Sequence, residues 1–323
     1  MAYQNVSTPR FYINIPEWLG SMGIISEHQS YLRTLPVEPQ LVSPDIFENG
    51  YLLLPPLQGM EGTSIIKGFI ALLGHNYGDL TAGHNYFRLY DNEENIVSQQ
   101  GLYNCEIDSD NVVVPNSGFS FSKFFGSNDI SKIFFENTIP SEPLYIGSVI
   151  LGRAYDMPVA PDLSLSLEHD YSGIKKTTSM SGASFSNANW TKPPKWGDKE
   201  AWQLGDFPRP YSGRRIWDLS FSYISDSDLE PRNYTGTTLD DSDVPVPSDD
   251  NWFDNILHYT MGGHLPFIFQ PDKDVVYNWT DEEPSHITEI PELAICRFDM
   301  NSFSREQVAP GVYNIKIKVK ESW

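Results

Sequence analysis

The sequence predicts a mostly-β protein built as two β-sandwich-like domains, the second carrying one α-helix. Three observations carry that expectation. Glycine (23) and proline (24) are frequent enough to cut 323 residues into many short elements, which suits sheets joined by loops better than long helices. Three segments of the second half alternate apolar and polar side chains with period two, the pattern of strands wet on one face. Residues 65–73 form a nearly unbroken apolar run ending at Gly74, the pattern of a strand buried on both faces. The chain exceeds the usual length of one domain, so two are expected. With 40% hydrophobic and 13% aromatic residues it can fill two cores.

Residues 1–50 are expected to form an extended N-terminal arm. Pro9, Pro16, Pro36, Pro39 and Pro44 interrupt both helix and sheet, and Tyr3, Phe11, Tyr12 and Trp18 lie between them. Large apolar groups on such a chain lie on another surface, either the protein's own domain or a neighbouring subunit. One short helical turn is expected from Trp18 to Ile25. Residues 51–156 then read as a sandwich, with strands at Ile65–Leu73, Tyr86–Tyr90, Val112–Val114, Ile130–Glu136 and Tyr145–Leu151 between turn-forming clusters.

Residues 157–323 are expected to form the second β-rich domain. Leu163, Leu165 and Leu167 alternate with Ser164, Ser166 and Glu168. Trp217, Leu219, Phe221 and Tyr223 alternate with Asp218, Ser220 and Ser222. Tyr313, Ile315, Ile317 and Val319 alternate with Asn314, Lys316, Lys318 and Lys320. Each set predicts a strand with its apolar face on a core. A helix is expected at about 250–261, capped by Asp249 or Asp250, with Trp252, Phe253, Ile256, Leu257 and Thr260 on one face and Gly262-Gly263 ending it. Leu265–Gln270 and Leu293–Phe298 read as further strands. A long acidic loop spans 224–250, far beyond the usual loop length, and is either mobile or used for contacts. Trp190, Trp196 and Trp202 among the prolines of 187–210 either form a docking surface or cap the local core.

Chemistry is sparse. With 22 Lys+Arg against 43 Asp+Glu the net charge is −21, a surface that repels phosphate backbones and anionic lipid, so neither nucleic acid nor membrane is expected as a partner. Cys105 and Cys296 lie far apart among apolar neighbours and read as buried thiols, not a zinc site or disulfide framework. No charged start followed by an apolar core marks a secretory signal, and no run approaches a bilayer span, so a soluble protein made in a cytoplasm is expected. The sequons at Asn5, Asn189, Asn233 and Asn278 then carry no meaning. His75 and His84 flank one loop and, with Asp79 inside it, offer ligands for a divalent ion, but a His-Asn pair after a strand more often ties its own loop down. No nucleophile elbow, phosphate-cradling glycine loop or spaced calcium loop is present. A glycosidase needs only two carboxylates, and nothing singles out one pair among 43 acids. No catalytic, metal or cofactor residue is therefore expected, and the chain reads as a non-enzyme without cofactors.

Two stretches carry a family resemblance. Phe69-Ile70-Ala71-Leu72-Leu73-Gly74-His75-Asn76, followed by Tyr145-Ile146-Gly147-Ser148-Val149-Ile150-Leu151-Gly152 and Met157-Pro158, resembles the discoidin-like jelly rolls of tailed-bacteriophage virion proteins. Arg214–Phe221, Gly262–Asp272 and Tyr313–Glu321 are together similar to tail structural proteins of marine, cyanophage-type myoviruses. The resemblance spans about two thirds of the chain and rests on apolar framework, so it transfers no catalytic residue. It implies a virion structural component in the tail, tail tip or baseplate, made in the host cytoplasm and assembled with copies of itself and other virion proteins. The alternatives are a head decoration protein, or a carbohydrate-binding accessory or receptor-binding protein that holds host surface glycan on Tyr77 and Tyr86. Lys316, Lys318 and Lys320 form the one local basic strip. At a sheet edge they would either meet a neighbour's acidic loop or guard against aggregation.

Overall fold

A computed structural model describes residues 6–22, 32–34, 40–41, 51–53, 68–73, 86–90, 96–101, 113–116, 119–124, 132–136, 145–171, 174–188, 195–196, 199–200, 213–230, 251–275 and 293–322. The strands of the first half are β1 (Arg10–Asn14), β2 (Gln40–Leu41), β3 (Tyr51–Leu53), β4 (Gly68–Leu73), β5 (Tyr86–Tyr90), β6 (Ile96–Gly101), β7 (Val113–Asn116), β8 (Phe119–Phe124), β9 (Lys132–Glu136), β10 (Tyr145–Ile146) and β11 (Ser148–Asp156). Those of the second half are β12 (Ser166–Asp170), β13 (Ile174–Thr178), β14 (Ser184–Ala188), β15 (Lys195–Trp196), β16 (Lys199–Glu200), β17 (Arg214–Ser225), β18 (Phe267–Gln270), β19 (Ala294–Phe298), β20 (Arg305–Ala309) and β21 (Val312–Glu321). Two short α-helices, α1 (Ile15–Ser21) and α2 (Asp226–Leu229), and a π-helical turn at Phe253–Leu257 complete the described elements. The chain is mostly β, as the sequence predicts.

Eleven strands form one antiparallel sheet in the order β12-β17-β21-β19-β18-β1-β11-β4-β8-β7, with β20 pairing β21 off that path. Strand β1 is its centre. Phe11 faces Tyr155 of β11 on one side and Phe269 of β18 on the other. The strands from residues 51–156 in this sheet lie to one side of β1, and those from 157–323 lie to the other. Residues 10–14, expected within an arm on another surface, are therefore the strand through which the two halves pair. Prolines at 9 and 16 bound β1 without entering it, so its ladder bonds survive.

Alternation sorts this central region into two cores. Phe11, Ile13, Ile70, Leu72, Val149, Leu151, Phe267, Phe269 and Cys296 pack on one face; Tyr12, Phe69, Ala71, Leu73, Ile150, Ile268 and Ile295 pack on the other. The run at 68–73 is buried at every position, as a strand covered on both faces requires. Phe11 centres the larger core, with ring centroids 5.3 Å from Trp252, 5.4 Å from Phe267 and 5.3 Å from Phe269.

The turn from β1 into α1 depends on Gly152. A Cβ there would lie 1.9 Å from the Ile13 carbonyl oxygen and 3.1 Å from the Ile15 nitrogen, so only glycine admits this close approach. Pro16 suits the first turn of α1. The helix begins three residues before the expected Trp18 and buries Trp18 and Leu19. The Asn14 amide group donates to the Leu32 carbonyl (2.8 Å) and to Thr34 Oγ1 (3.1 Å), while Thr34 N donates to Glu17 Oε2 (2.9 Å). Residues 32–34 are thereby fastened to α1, and the Ser148 hydroxyl donates to the Arg33 carbonyl from β11.

Three expectations are corrected. The segment at 250–261 is helical but wider than an α-helix: His258 N reaches Phe253 O and Gly262 N reaches Leu257 O, both five residues back. Its cap is Asn251, whose Oδ1 accepts from Asp254 N at 2.9 Å, rather than Asp249 or Asp250, which lie outside the described residues. The alternation of β17 holds through Trp217, Leu219 and Phe221, then fails. A bulge between Phe221 and Ile224 puts Tyr223 in the left-handed region (φ 61°) and 77% exposed, and Ile224 takes the buried place. The third correction concerns the leucines at 163–167 and bears directly on function.

Candidate interaction surface

Asp162 N donates to Ser220 O (2.7 Å), and Ser166 pairs with Asp218. Four residues on one strand therefore answer two on the other, and residues 163–165 bulge outward. Leu163 is 103% exposed, Leu167 is exposed, and only Leu165 packs against the larger core. The expected core face of Leu163, Leu165 and Leu167 is thus mostly turned to solvent. Local alternation reports a strand with two unlike faces; it does not say that this chain covers the apolar one.

Strand β12 ends the eleven-stranded sheet, and among the described residues nothing pairs with its outer side. An open ladder edge is a template for an added strand. Glu168 and Asp170 place charge along its far half, which opposes indiscriminate pairing.

The chain then turns into a two-stranded sheet of its own, β13–β14, paired from Ile174–Ala188 to Thr178–Ser184. Its connection is a three-residue loop, Met180-Ser181-Gly182. Gly182 N donates to Ser179 O (2.9 Å), Ser179 N to Ala183 O (2.8 Å), and Gly182 sits at φ 85°, the left-handed position that favours glycine. Ser179 Oγ accepts from Ala183 N at 3.0 Å and locks the tip. Apart from the half-buried Ser179, every described side chain from Ile174 to Asn187 is exposed. Met180 is 109% and Phe185 61% exposed. Lys175, Thr177, Phe185 and Asn187 share one face; Ile174, Lys176, Thr178, Ser184 and Ser186 share the other.

Beside this edge the sheet presents a charged face. Lys316, Lys318 and Lys320 lie on β21, which is paired on both sides by β17 and by β19 and β20, so the condition of a sheet edge is not met. Lys320 Nζ meets Asp170 Oδ2 at 2.7 Å and Lys318 Nζ meets Asp299 Oδ2 at 3.4 Å, with Asp218 opposite Lys318. Two of the three lysines are thus already engaged by acids of this chain.

Several other titratable groups are interior. Arg215 Nη2 meets Glu321 Oε1 at 3.0 Å, its backbone N donates to Glu321 Oε2 at 3.0 Å, and its guanidinium lies 5.1 Å from the Trp217 ring centre. Cys296 is fully buried beside them; burial first, and then the Glu321 charge, pushes its thiol well above the usual range. That keeps it protonated and a poor nucleophile. Burial lowers His258, whose ring lies 5.2 Å from both Trp18 and Tyr259. Asp226-Ser227-Asp228, expected in the acidic loop, forms α2 instead, with Ser225 Oγ accepting from Asp228 N.

His75, Tyr77, Asp79, His84 and Cys105 lie outside the described residues, as do Trp190, Trp202 and all of 231–250; of Tyr86 and Trp196 only the strand backbone is described. Among the described residues no three His, Cys, Asp or Glu side chains group as metal ligands, and no helix is long and apolar enough to cross a membrane. The β13–β14 hairpin was not expected from the sequence. Its signal was available: a glycine in a Ser-Met-Ser-Gly turn between short runs containing Ile, Thr and Phe. No family model matches this chain, and neither a curated protein nor a solved structure matches it.

Proposed function

We propose that this chain is a non-catalytic structural subunit of a larger assembly, the virion of a tailed bacteriophage, placed in the tail, tail tip or baseplate. One observation carries the assembly part of that reading: a strand whose outer edge is unpaired among the described residues, and the hairpin that follows it, expose Leu163, Leu167, Ile174, Met180 and Phe185 within residues 163–185. Exposed apolar side chains concentrated in this way mark a surface that a partner covers. The virion part rests on the resemblance of the framework segments, which are β4, β11, β17, β18 and β21. Its partners are other copies of itself and other virion proteins. Light scattering on the purified full chain over a wide concentration range tests the reading. A discrete mass at a multiple of 36.7 kDa is expected. A single 36.7 kDa species at every concentration overturns it as a self-assembling subunit.

A further inference from the structure

We infer that the β13–β14 hairpin is the arm by which one copy of this chain grips an acidic face of the next; the inference rests on the assembly reading above. Two antiparallel strands with nothing packed on either face are marginal in water. This hairpin has that form, since its described side chains are exposed from both strands. Its closed tip and five-residue register give it a defined shape without giving it a core. It gains that core by docking.

Charge selects the occupant. Residues 174–188 contain Lys175 and Lys176 and no acid, on a chain whose net charge is −21. The hairpin is a basic arm on an acidic body, so its complement is an acidic surface, and every other copy, at net charge −21, carries the acids to supply one. Each face pairs one cation with one large apolar group, Lys175 with Phe185 and Lys176 with Ile174. Such a face holds a carboxylate at its rim while burying the ring or the branched chain beside it. Because arm and acceptor are different surfaces of the same chain, the contact is head-to-tail. Repetition of a head-to-tail contact closes a ring or extends a helical array.

The test mixes equal amounts of ordinary and 15N-labelled full chain, couples Lys to Asp or Glu with a zero-length carbodiimide, and reads the joined peptides by mass spectrometry. Lys175 and Lys176 are expected in peptides that combine the two isotopes. The double variant K175E/K176E is expected to weaken association at least about tenfold, because like charges now face each other. F185S is expected to weaken it in the same direction without added salt sensitivity. All three substitutions lie outside both cores, so an unchanged thermal unfolding curve accompanies them. If the oligomer forms with undiminished strength in K175E/K176E and no mixed-isotope peptide contains either lysine, the inference is overturned while the assembly reading stands. If the unaltered chain never exceeds monomer mass, the assembly reading falls and takes the inference with it.

Discussion

The Tyr12 hydroxyl donates a 2.7 Å hydrogen bond to the Gln270 side-chain carbonyl, across 258 residues of sequence. The bond joins β1 to β18 inside the smaller core, where both side chains are fully buried. Gln270 Nε2 in turn donates to the carbonyls of Asp272 (2.6 Å) and Val275 (2.9 Å), so the amide is held from both ends. Toward β11, on the other side of β1, Arg10 Nε and Nη2 donate to the two carboxylate oxygens of Asp156. β1 is thus tied by side chains as well as by its ladder to each half of the sheet.

Tyr12→Phe leaves the Gln270 oxygen buried without this donor. The expected loss is about 1–3 kcal/mol of unfolding free energy, with the denaturant slope unchanged. Guanidinium titration of the variant against the unaltered chain measures it.

Gly152→Ala is expected to be among the most damaging single changes. Its methyl group would stand 1.9 Å from the Ile13 carbonyl oxygen, so β1 or α1 must shift. A loss of about 3–5 kcal/mol is expected, at the upper end for point substitutions. Loss of near-ultraviolet circular dichroism from the surrounding aromatic core tracks the same event.

Removal of residues 1–14 deletes β1 and with it Phe11, the ring at the centre of the larger core. The full chain is expected to unfold in one cooperative transition, and the truncated chain to lose it. Deletion of residues 174–188, whose described side chains are exposed apart from the half-buried Ser179, is expected to keep that transition within a few degrees of the original. Differential scanning calorimetry separates the two.

The contrast between those two segments also explains what the sequence revealed. Residues 69–73, 217–221 and 315–319 are legible because burial on one or both faces writes a period into them. β1 carries the same alternation at Phe11, Tyr12 and Ile13, but it is short and bounded by Pro9 and Pro16, so composition pointed to an arm. Leu163 and Leu167 mislead in the opposite sense: their period is real, yet two extra residues before Ser166 and a place at the sheet edge leave them uncovered. The hairpin has no apolar period, and its described side chains are exposed apart from the half-buried Ser179. An interface that forms only between subunits leaves little periodic trace in the sequence.

Arg215 and Glu321 form a buried pair whose members depend on each other. Glu321→Gln alone leaves the guanidinium buried against a neutral group, with an expected loss of about 3–5 kcal/mol. Arg215→Met combined with Glu321→Leu is expected to recover much of that loss, since neither charge then stays uncompensated. A double-mutant cycle by chemical denaturation gives the coupling.

Burial raises the Glu17 carboxyl above its ordinary value of 4.5, and the Thr34 hydrogen bonds oppose the shift without cancelling it. A raised value in the fold means that the folded chain holds this proton more tightly than the unfolded one. The contribution of Glu17 to stability is therefore full below pH 4.5 and is lost as pH rises through the raised value. Glu17→Gln is expected to remove that dependence, so its stability relative to the unaltered chain grows with pH across this window and then levels. Unfolding free energies of both chains from pH 4 upward, in roughly half-unit steps, test the sign.

Backbone amide hydrogen exchange on the full chain, below and above the concentration at which it associates, reads the covered surface most directly. Amides within residues 163–188 are expected to slow on association, while those of β4, β11 and β18 are already protected in both states. Association that leaves 163–188 exchanging at the monomer rate would contradict this, and would place the contact elsewhere on the molecule.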